Sequence, residues 1–260
     1  MEKKKVLVVG CSGRMGKIVC QTVIKSEEFE LMYGFDVVDK LMGLCAVTPR
    51  LGNIAERPDV IIDFSSPEAT EHALRWAAVQ GIPMVIATTG LSDTLLHAIR
   101  DDFSANMPIF LSSNMSYQIN LMTKVLQILA RKIPGCEIEI LEEHHSGKKD
   151  SPSGTAKDVL FPALNEALGY KMEMNTHREG KRKDNEIGIV ALRGGDVSGT
   201  HTVNFYSGHE KLSVTHEAHS PEIFAEGALK AASFLLKQEE NGFYTMDDLL
   251  GDMLCEDNES

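Results

Sequence analysis

The chain has 260 residues, 43% of them hydrophobic and 25% charged, the balance of a folded protein with room for one large domain or two modest ones. A formal net charge of -12 argues against nucleic acid and anionic membrane surfaces as partners, though not against a small anion gripped by a local cluster of donors. No run approaches the roughly 18 apolar residues of a membrane span, and the apolar run 6–9 behind Lys3-Lys4-Lys5 is too short for a signal-peptide core. The cysteines (Cys11, Cys20, Cys45, Cys136 and Cys255) form no CxxC pair, which favours a reducing compartment and a cytoplasmic location.

Residues 5–9 form a short apolar run ending at Gly10, and an amphipathic stretch follows at 14–25. Further apolar runs at 31–36, 60–64, 84–88 and 109–112 end in polar or glycine positions. Helix-like segments lie between them, for example at 67–79 and 92–103; Pro67 suits a first helical turn and Ser65-Ser66 can cap it. Short apolar strands alternating with helices predict a parallel sheet covered on both faces. After Asn114 the rhythm changes. Leu121, Val125, Ile128 and Leu129 recur at helical spacing and predict a helix over 117–132. Residues 137–142, 186–192, 200–206 and 211–216 alternate like strands, which predicts a largely antiparallel or mixed sheet with the last three as a meander. A final helix over 223–237 carries Phe224, Ala228, Ala231, Phe234 and Leu235 on one side. From Asp247 to Glu259 there are six acidic residues and no basic one, the composition of a solvated tail. The expected fold is α/β: a Rossmann-like parallel-sheet dinucleotide domain over 1–114, completed by 218–260, plus a second α+β domain with an open mixed sheet over 115–217.

Gly10-Cys11-Ser12-Gly13-Arg14-Met15-Gly16 follows the first predicted strand and opens the first predicted helix. Its first glycine permits a tight turn, its second lets backbone approach a pyrophosphate, and its third lets helix pack closely on strand. Asp36 closes the second apolar run, where a carboxylate can accept from ribose hydroxyls. The spacing is GxxGxxG rather than GxGxxG, so a turn without ligand, or a loop for another nucleotide such as S-adenosylmethionine, is the alternative. Two later strand ends face the same crevice in such a fold: Ala87-Thr88-Thr89-Gly90 and Ser112-Ser113-Asn114-Met115. Their hydroxyls can serve a nicotinamide ring or simply cap the next helix. Val37 stands where a 2′-phosphate binder often has arginine, so NADH is slightly favoured over NADPH, with Lys40 near enough to blur the preference.

The densest chemistry is Glu142-Glu143-His144-His145-Ser146-Gly147-Lys148-Lys149-Asp150-Ser151-Pro152-Ser153-Gly154-Thr155-Ala156. Histidine and lysine hand over protons near neutral pH, and Ser153 is a natural cap for a helix whose first N–H groups can face an anion. The pattern suits a small, multiply negative substrate that must be protonated. Lys149 reads as a solvated lysine. Glu142-Glu143-His144-His145 lacks the helical histidine pair of a metalloprotease, so no metal is expected.

Glu142-x-His144-His145-x-x-Lys148-x-Asp150-x-Pro152-Ser153-Gly154-Thr155-Ala156 resembles the signature of the dihydrodipicolinate reductase family. The resemblance runs nearly end to end, through residues 10–16, Asp63-Phe64-Ser65, residues 87–90, Asn114-Met115-Ser116, Arg193-Gly194-Gly195-Asp196 and the 224–230 helix. It implies reduction of a cyclic dicarboxylate with NADH or NADPH on the diaminopimelate route to lysine. It implies that His144 is catalytic, that Lys148 gives a proton to the reduced ring, that His145 touches substrate, and that Ser153, Gly154 and Thr155 hold a carboxylate. Gly10, Cys11, Ser12, Gly13, Arg14, Met15, Asp36, Ala87, Thr88, Thr89, Ser112, Ser113, Asn114 and Met115 match cofactor positions. A homotetramer assembled through the second domain is implied as well. Two departures bear on the cofactor: residues 40–58 look shorter than the family often has, and Ser66 stands where an arginine is sometimes found. The rivals are another two-domain NAD(P)-dependent amino-acid or semialdehyde dehydrogenase, and a dinucleotide-binding regulator without turnover.

Overall fold

The computed structural model describes residues 2–38 and 43–256; Lys40 and residues 257–260 lie outside them. In chain order the elements are β1 (Lys4–Val9), α1 (Arg14–Lys25), β2 (Phe29–Phe35), β3 (Ala46–Thr48), β4 (Val60–Asp63), α2 (Pro67–Gln80), β5 (Met84–Ile86), α3 (Asp93–Ala98) and β6 (Pro108–Leu111). They continue as α4 (Tyr117–Lys132), β7 (Glu137–His144), α5 (Phe161–Leu168), β8 (Glu173–Asn175), β9 (Glu186–Arg193), β10 (Gly199–Ser207) and β11 (Glu210–Ala218). The chain ends with α6 (Glu222–Leu235), β12 (Gly242–Tyr244) and α7 (Met246–Glu256). Two compact units result, Met1–Tyr117 with Pro221–Ser260, and Gln118–Ser220.

The first unit is built on a parallel sheet in the order β12-β6-β5-β4-β1-β2-β3. Val6, Leu7, Val8 and Val9 are all fully buried because successive side chains on β1 point into two different cores. Val6 and Val8 pack with Val19 and Cys20 of α1 and Ala228 and Ala232 of α6, whereas Leu7 and Val9 pack with Leu74 and Ala77 of α2. On α1 the buried positions Gly16, Val19, Cys20 and Val23 keep helical spacing, which sets its face against the sheet. Helix α2 begins as its sequence indicates, with Pro67 in the first turn and the Ser66 side chain accepting from Ala69 N–H.

The second unit holds a mixed sheet in the order β11-β10-β7-β9-β8. The expected meander does not form. Strands β10 and β11 are a hairpin, but β7 lies between β10 and β9, antiparallel to the first and parallel to the second. Strand β7, with Ile138 and Ile140 fully buried, takes the centre with neighbours on both edges, and the inward residues Val203 and Phe205 of β10 and Ile187 and Ile189 of β9 share its core. The long crossover through α5 and β8 returns the chain for the parallel pairing.

The acidic C-terminal stretch is also different from expectation. Residues 246–256 form α7 rather than a solvated tail, with Met246, Leu249 and Leu250 buried against the first core. Thr245 and Asp248 cap it reciprocally: Thr245 N–H and hydroxyl donate to the Asp248 carboxylate, and Asp247 N–H donates to Thr245 Oγ1. Two acids in the first turn also suit the positive end of the helix dipole. Leu250→Ala is therefore expected to cost about 2–4 kcal/mol, as deletion of a buried leucine side chain does. Urea unfolding followed by circular dichroism measures this; a solvated tail would show no shift in midpoint.

Candidate active site

The candidate residues fall into two groups, one in each unit. In the first unit they gather where the parallel strands end. Gly10 follows β1 with φ of 75°, a conformation that favours glycine, and a Cβ there would meet Phe64 O at 2.6 Å. Gly16 packs on the same turn so closely that a Cβ would lie 2.0 Å from Gly10 O. The Asp36 carboxylate reaches back to the loop, accepting from Ser12 N–H at 3.0 Å and from Val37 N–H at 2.8 Å. Helix α1 starts at Gly13 without any side-chain cap, which leaves its N-terminal end without the usual internal acceptor. Arg14 is exposed, whereas the Cys11 side chain is fully buried, so Cys11 can address a ligand only through its backbone.

Thr88 and Ser112–Met115 lie at the ends of β5 and β6. Thr88 Oγ1 accepts from Ser65 N–H at 3.0 Å, which ties the β5 end to the β4 end. Beneath them Asp63 is fully buried and accepts from the Ser65 and Thr70 hydroxyls, both at 2.5 Å. Burial pushes the Asp63 carboxyl up to about 6 against the pull of these hydroxyls. Ser112 Oγ donates to Asn114 O, and Asn114 Oδ1 accepts from Ser116 N–H. Thr89 and Ser113 are exposed, while Met115 is buried in the first core and offers a ligand only its backbone.

The second group is an extension of the second core. Ile138, Ile140, Glu142 and His144 share one face of β7, so the same buried face passes from hydrocarbon to carboxylate to imidazole. Glu142 is fully buried and accepts from the Arg193 guanidinium at 2.7 and 3.0 Å, from Ser153 N–H at 3.0 Å, and from His144 Nδ1 at 2.5 Å. Burial raises the Glu142 carboxyl, but the bonds from Arg193, His144 and Ser153 outweigh it and hold the group below its ordinary range. Burial, helped by the charges of Lys148 and Arg193, lowers His144 against the pull of Glu142, which favours the neutral ring.

Two sets of backbone bonds fold the following loop onto the segment after β9. His145 N–H donates to Val197 O, Ser146 N–H to Gly195 O, and Gly194 N–H to His144 O. Lys148, half-buried, pairs with Asp150 at 2.9 Å, and Arg193 Nη2 donates to Asp150 O at 2.7 Å. Burial raises the Asp150 carboxyl, but Lys148 and nearby backbone N–H groups, including that of Gly154, more than offset this and lower it. His145 and Lys149 are exposed. Ser153 caps as expected, its Oγ accepting from Ala156 N–H at 3.3 Å, and the Thr155–Leu160 turn then runs on into α5. Thus His144, Lys148 and the 153–155 turn are brought together by one hydrogen-bonded network.

Three members of the network were not singled out as site residues from the sequence. Glu142 and Arg193 stand in the motifs but were given no role, and the period-2 alternation of 137–144 already places Glu142 on the Ile138 and Ile140 face. His201, opposite Glu142 on β10, lies 3.0 Å from Ser153 Oγ and edge-on to His144 at 5.2 Å. Burial pushes His201 down to about 4, with His144 adding to the effect. Among the described residues, Nδ1 of His201 and Nδ1 of its cross-strand neighbour His216 are buried without a hydrogen-bond partner. The ligand atoms of Glu142, His144 and His201 lie within 4.8 Å of one another, but a cation there would compete with Arg193 for a carboxylate already accepting four bonds.

A glycine turn on an all-parallel sheet, in a chain that also carries a buried acid–base network, fits the class that the family match supports: a nicotinamide-dinucleotide-dependent oxidoreductase of the two-unit α/β kind. Residues 4–115 match the model of the dihydrodipicolinate reductase N-terminus and residues 118–250 that of its C-terminus. The chain belongs to the dihydrodipicolinate reductase family. It is 42% identical to the 4-hydroxy-tetrahydrodipicolinate reductase of Caldanaerobacter subterraneus subsp. tengcongensis, over 95% of this chain and 98% of that one. It is 40% identical to the enzyme of the same name from Clostridium novyi, with the same coverage. The fold matches a dipicolinate-bound dihydrodipicolinate reductase from Paenisporosarcina sp. TG-14 with a TM-score of 0.79 at 22% identity, over 94% of this chain and 98% of that one.

Two outcomes follow from the geometry. Gly16→Ala forces β1 and α1 apart and should weaken dinucleotide binding at least about tenfold, or about 1.4 kcal/mol, as read by calorimetric titration with NADH. The second concerns pH. His201 takes a proton at about 4 in the folded chain and at 6.5 when unconstrained, so unfolding takes up a proton between these values. Its contribution to stability is present above pH 6.5 and is lost as pH falls towards 4. His201→Gln should therefore show a flatter fall in melting temperature between pH 7 and 5 than the parent chain. Asp63, whose raised carboxyl acts in the opposite sense, is common to both proteins and cancels in the comparison.

Proposed function

We propose that the chain reduces 4-hydroxy-tetrahydrodipicolinate to tetrahydrodipicolinate, the step its relatives are named for, in the diaminopimelate route to lysine. The observation that carries this reading is the buried Glu142 network, which joins His144, Lys148 and the 153–155 turn. We assign the first unit to the dinucleotide and the second to substrate and assembly. The close packing of Gly10 and Gly16, and the uncapped start of α1, suit a pyrophosphate; Asp36 suits the ribose. Thr88, Thr89 and Ser112–Met115 are the assigned positions around the nicotinamide.

In this reading, loss of water from the substrate leaves a conjugated imine; a reduced nicotinamide, which the 10–16 loop and Asp36 would hold, would provide the hydride needed at the ring carbon that had carried the hydroxyl. A proton must then reach the carbon or nitrogen where charge develops, and Lys148 is its assigned donor. Asp150 holds that ammonium and marks where a substrate carboxylate can take its place. His144, neutral and buried, assists the same transfer, while His145, Gly154 and Thr155 bind the carboxylates and Ser153, with its N–H on Glu142 and its hydroxyl on Ala156 N–H and His201, holds the turn that presents them. Orientation of the reactants can supply roughly 7–11 kcal/mol of the barrier reduction.

NADH is favoured over NADPH in this reading. The Asp36 carboxylate repels a 2′-phosphate and the exposed Val37 beside it offers no charge in compensation. A homotetramer is supported by the outward face of the second sheet. There Leu141, Val190, Leu192 and Tyr206 are exposed, with Leu141 directly opposite Val190. The cysteine pattern supports a cytoplasmic location.

Purified protein should consume reduced nicotinamide when coupled to an upstream synthase supplied with pyruvate and aspartate semialdehyde, faster with NADH than with NADPH at equal concentration. Pyridine-2,6-dicarboxylate should inhibit; indifference to it, with activity on an open-chain amino acid or semialdehyde, would point to the rival dehydrogenase. Lys148→Ala should lower kcat about 10²-fold or more, with little change in KM for the dinucleotide. An equal loss in the exposed control Lys237→Ala would refute the role given to Lys148.

A further inference from the structure

We propose that Glu142, backed by Arg193, is the positioning residue of this site: it sets the tautomer of His144 and pins the 153–155 turn to the same carboxylate. The proposal rests on the reductase reading above and extends it to two residues that touch neither substrate nor cofactor in that reading.

The argument starts from donors and acceptors. An ionised carboxylate has about four lone-pair sites and nothing to donate. Glu142 has four incoming bonds, two from the Arg193 fork, one from Ser153 N–H and one to His144 Nδ1. Because Arg193 keeps the carboxylate ionised, the proton of the His144–Glu142 bond belongs to Nδ1. The neutral imidazole is then left with its lone pair on Nε2, the atom that can accept from a substrate N–H or take part in proton transfer. A positively charged ring would have no lone pair there, and the other tautomer would point its lone pair into the protein.

Position is constrained as tightly as protonation. The β10 backbone approaches the ring at Gly199, where a Cβ would lie 2.9 Å from His144 Nε2. Any larger residue would push the ring off its bond to Glu142. The same ion pair reaches the other catalytic groups through backbone. Ser153 N–H bonds to Glu142, which fixes the start of the carboxylate-binding turn, and Arg193 bonds to Asp150 O, whose side chain holds Lys148. A neutral isostere cannot reproduce this, because an amide must present NH₂ either to His144 and Arg193 or to Ser153 and Arg193. Both sides already donate.

Glu142→Gln tests the proposal. The expected result is a fall in kcat of about 10²-fold, an unchanged KM for the reduced dinucleotide, and a single cooperative melting transition. Nitrogen-15 spectra of imidazole-labelled protein should show His144 as the Nδ1–H tautomer in the parent chain and lose that signature in the variant. The double variant Glu142→Gln/His144→Gln should be slower than His144→Gln alone by a smaller factor than Glu142→Gln costs the parent chain, since part of the effect of Glu142 passes through the ring. If Glu142→Gln does not fold, Arg193→Lys, which keeps the carboxylate ionised but loses the fork and its bond to Asp150 O, should lower kcat with an unchanged KM for the reduced dinucleotide while His144 stays the Nδ1–H tautomer. Retention of kcat within threefold, additive losses in the double variant, or an Nε2–H tautomer in the parent chain would each overturn the proposal. A parent chain without turnover would overturn the reductase reading instead, and the tautomer spectra would still judge the hold of Glu142 on His144.

Discussion

The interaction on which the second unit depends is the buried pair of Glu142 and Arg193. A carboxylate taken out of water without partners costs far more than the few kcal/mol by which a folded chain is stable. Glu142 is tolerable only because two guanidinium N–H groups, one backbone N–H and one imidazole meet it at bonding distance. Those donors come from β7, β9 and the loop before α5, so the pair can form only when the mixed sheet is assembled in its observed order. The geometry of the candidate site and the sheet topology are thereby the same constraint. Breaking such a pair from one side typically costs about 3–5 kcal/mol, which makes the site a structural keystone as well as a chemical one.

The first unit solves a different problem with different means. Apart from Arg14 and Asp36, its candidate ligand contacts are backbone groups and small hydroxyls at strand ends, placed by close packing rather than by charge. Gly10 and Gly16 bring helix, strand and the β4 turn within distances no side chain permits. Asp63 supports the layer beneath them without any cation, through the hydroxyls of Ser65 and Thr70. The consequence is visible in protonation: Asp63 is pushed up to about 6, whereas Glu142, beside a guanidinium, is held down.

Much of this was legible in the residues, and the exceptions have physical causes. Helices over 14–25 and 117–132 follow directly from 3.6-residue periodicity, and both are formed with those bounds. Strand positions were also readable, but strand order in the second sheet was not, because pairing is decided by non-local burial. Helix α7 was hidden by its acidity; the signal was present in Thr245-x-x-Asp248 followed by Leu249 and Leu250. The motif around His144 pointed to proton transfer to an anion, yet gave Glu142 no duty. Its role depends on Arg193, fifty-one positions away, which meets it only across the β7–β9 pairing.

The charge balance of the chain can now be understood locally. A net charge of -12 would repel a dicarboxylate if charge acted at long range. At physiological ionic strength, however, screening limits exposed charges to about 8 Å. Over residues 142–158 together with Arg193, the four cations Lys148, Lys149, Lys157 and Arg193 balance the four carboxylates Glu142, Glu143, Asp150 and Asp158. Glu142 is already neutralised by Arg193, and Asp150 by Lys148. An incoming carboxylate that displaces Asp150 from Lys148 exchanges one ion pair for another and exposes Asp150 to water, where it is half-exposed already. Binding of this kind needs no excess of positive charge. It requires only that the ammonium be held in place before the substrate arrives, which the Asp150 carboxylate does, its own backbone anchored by Arg193.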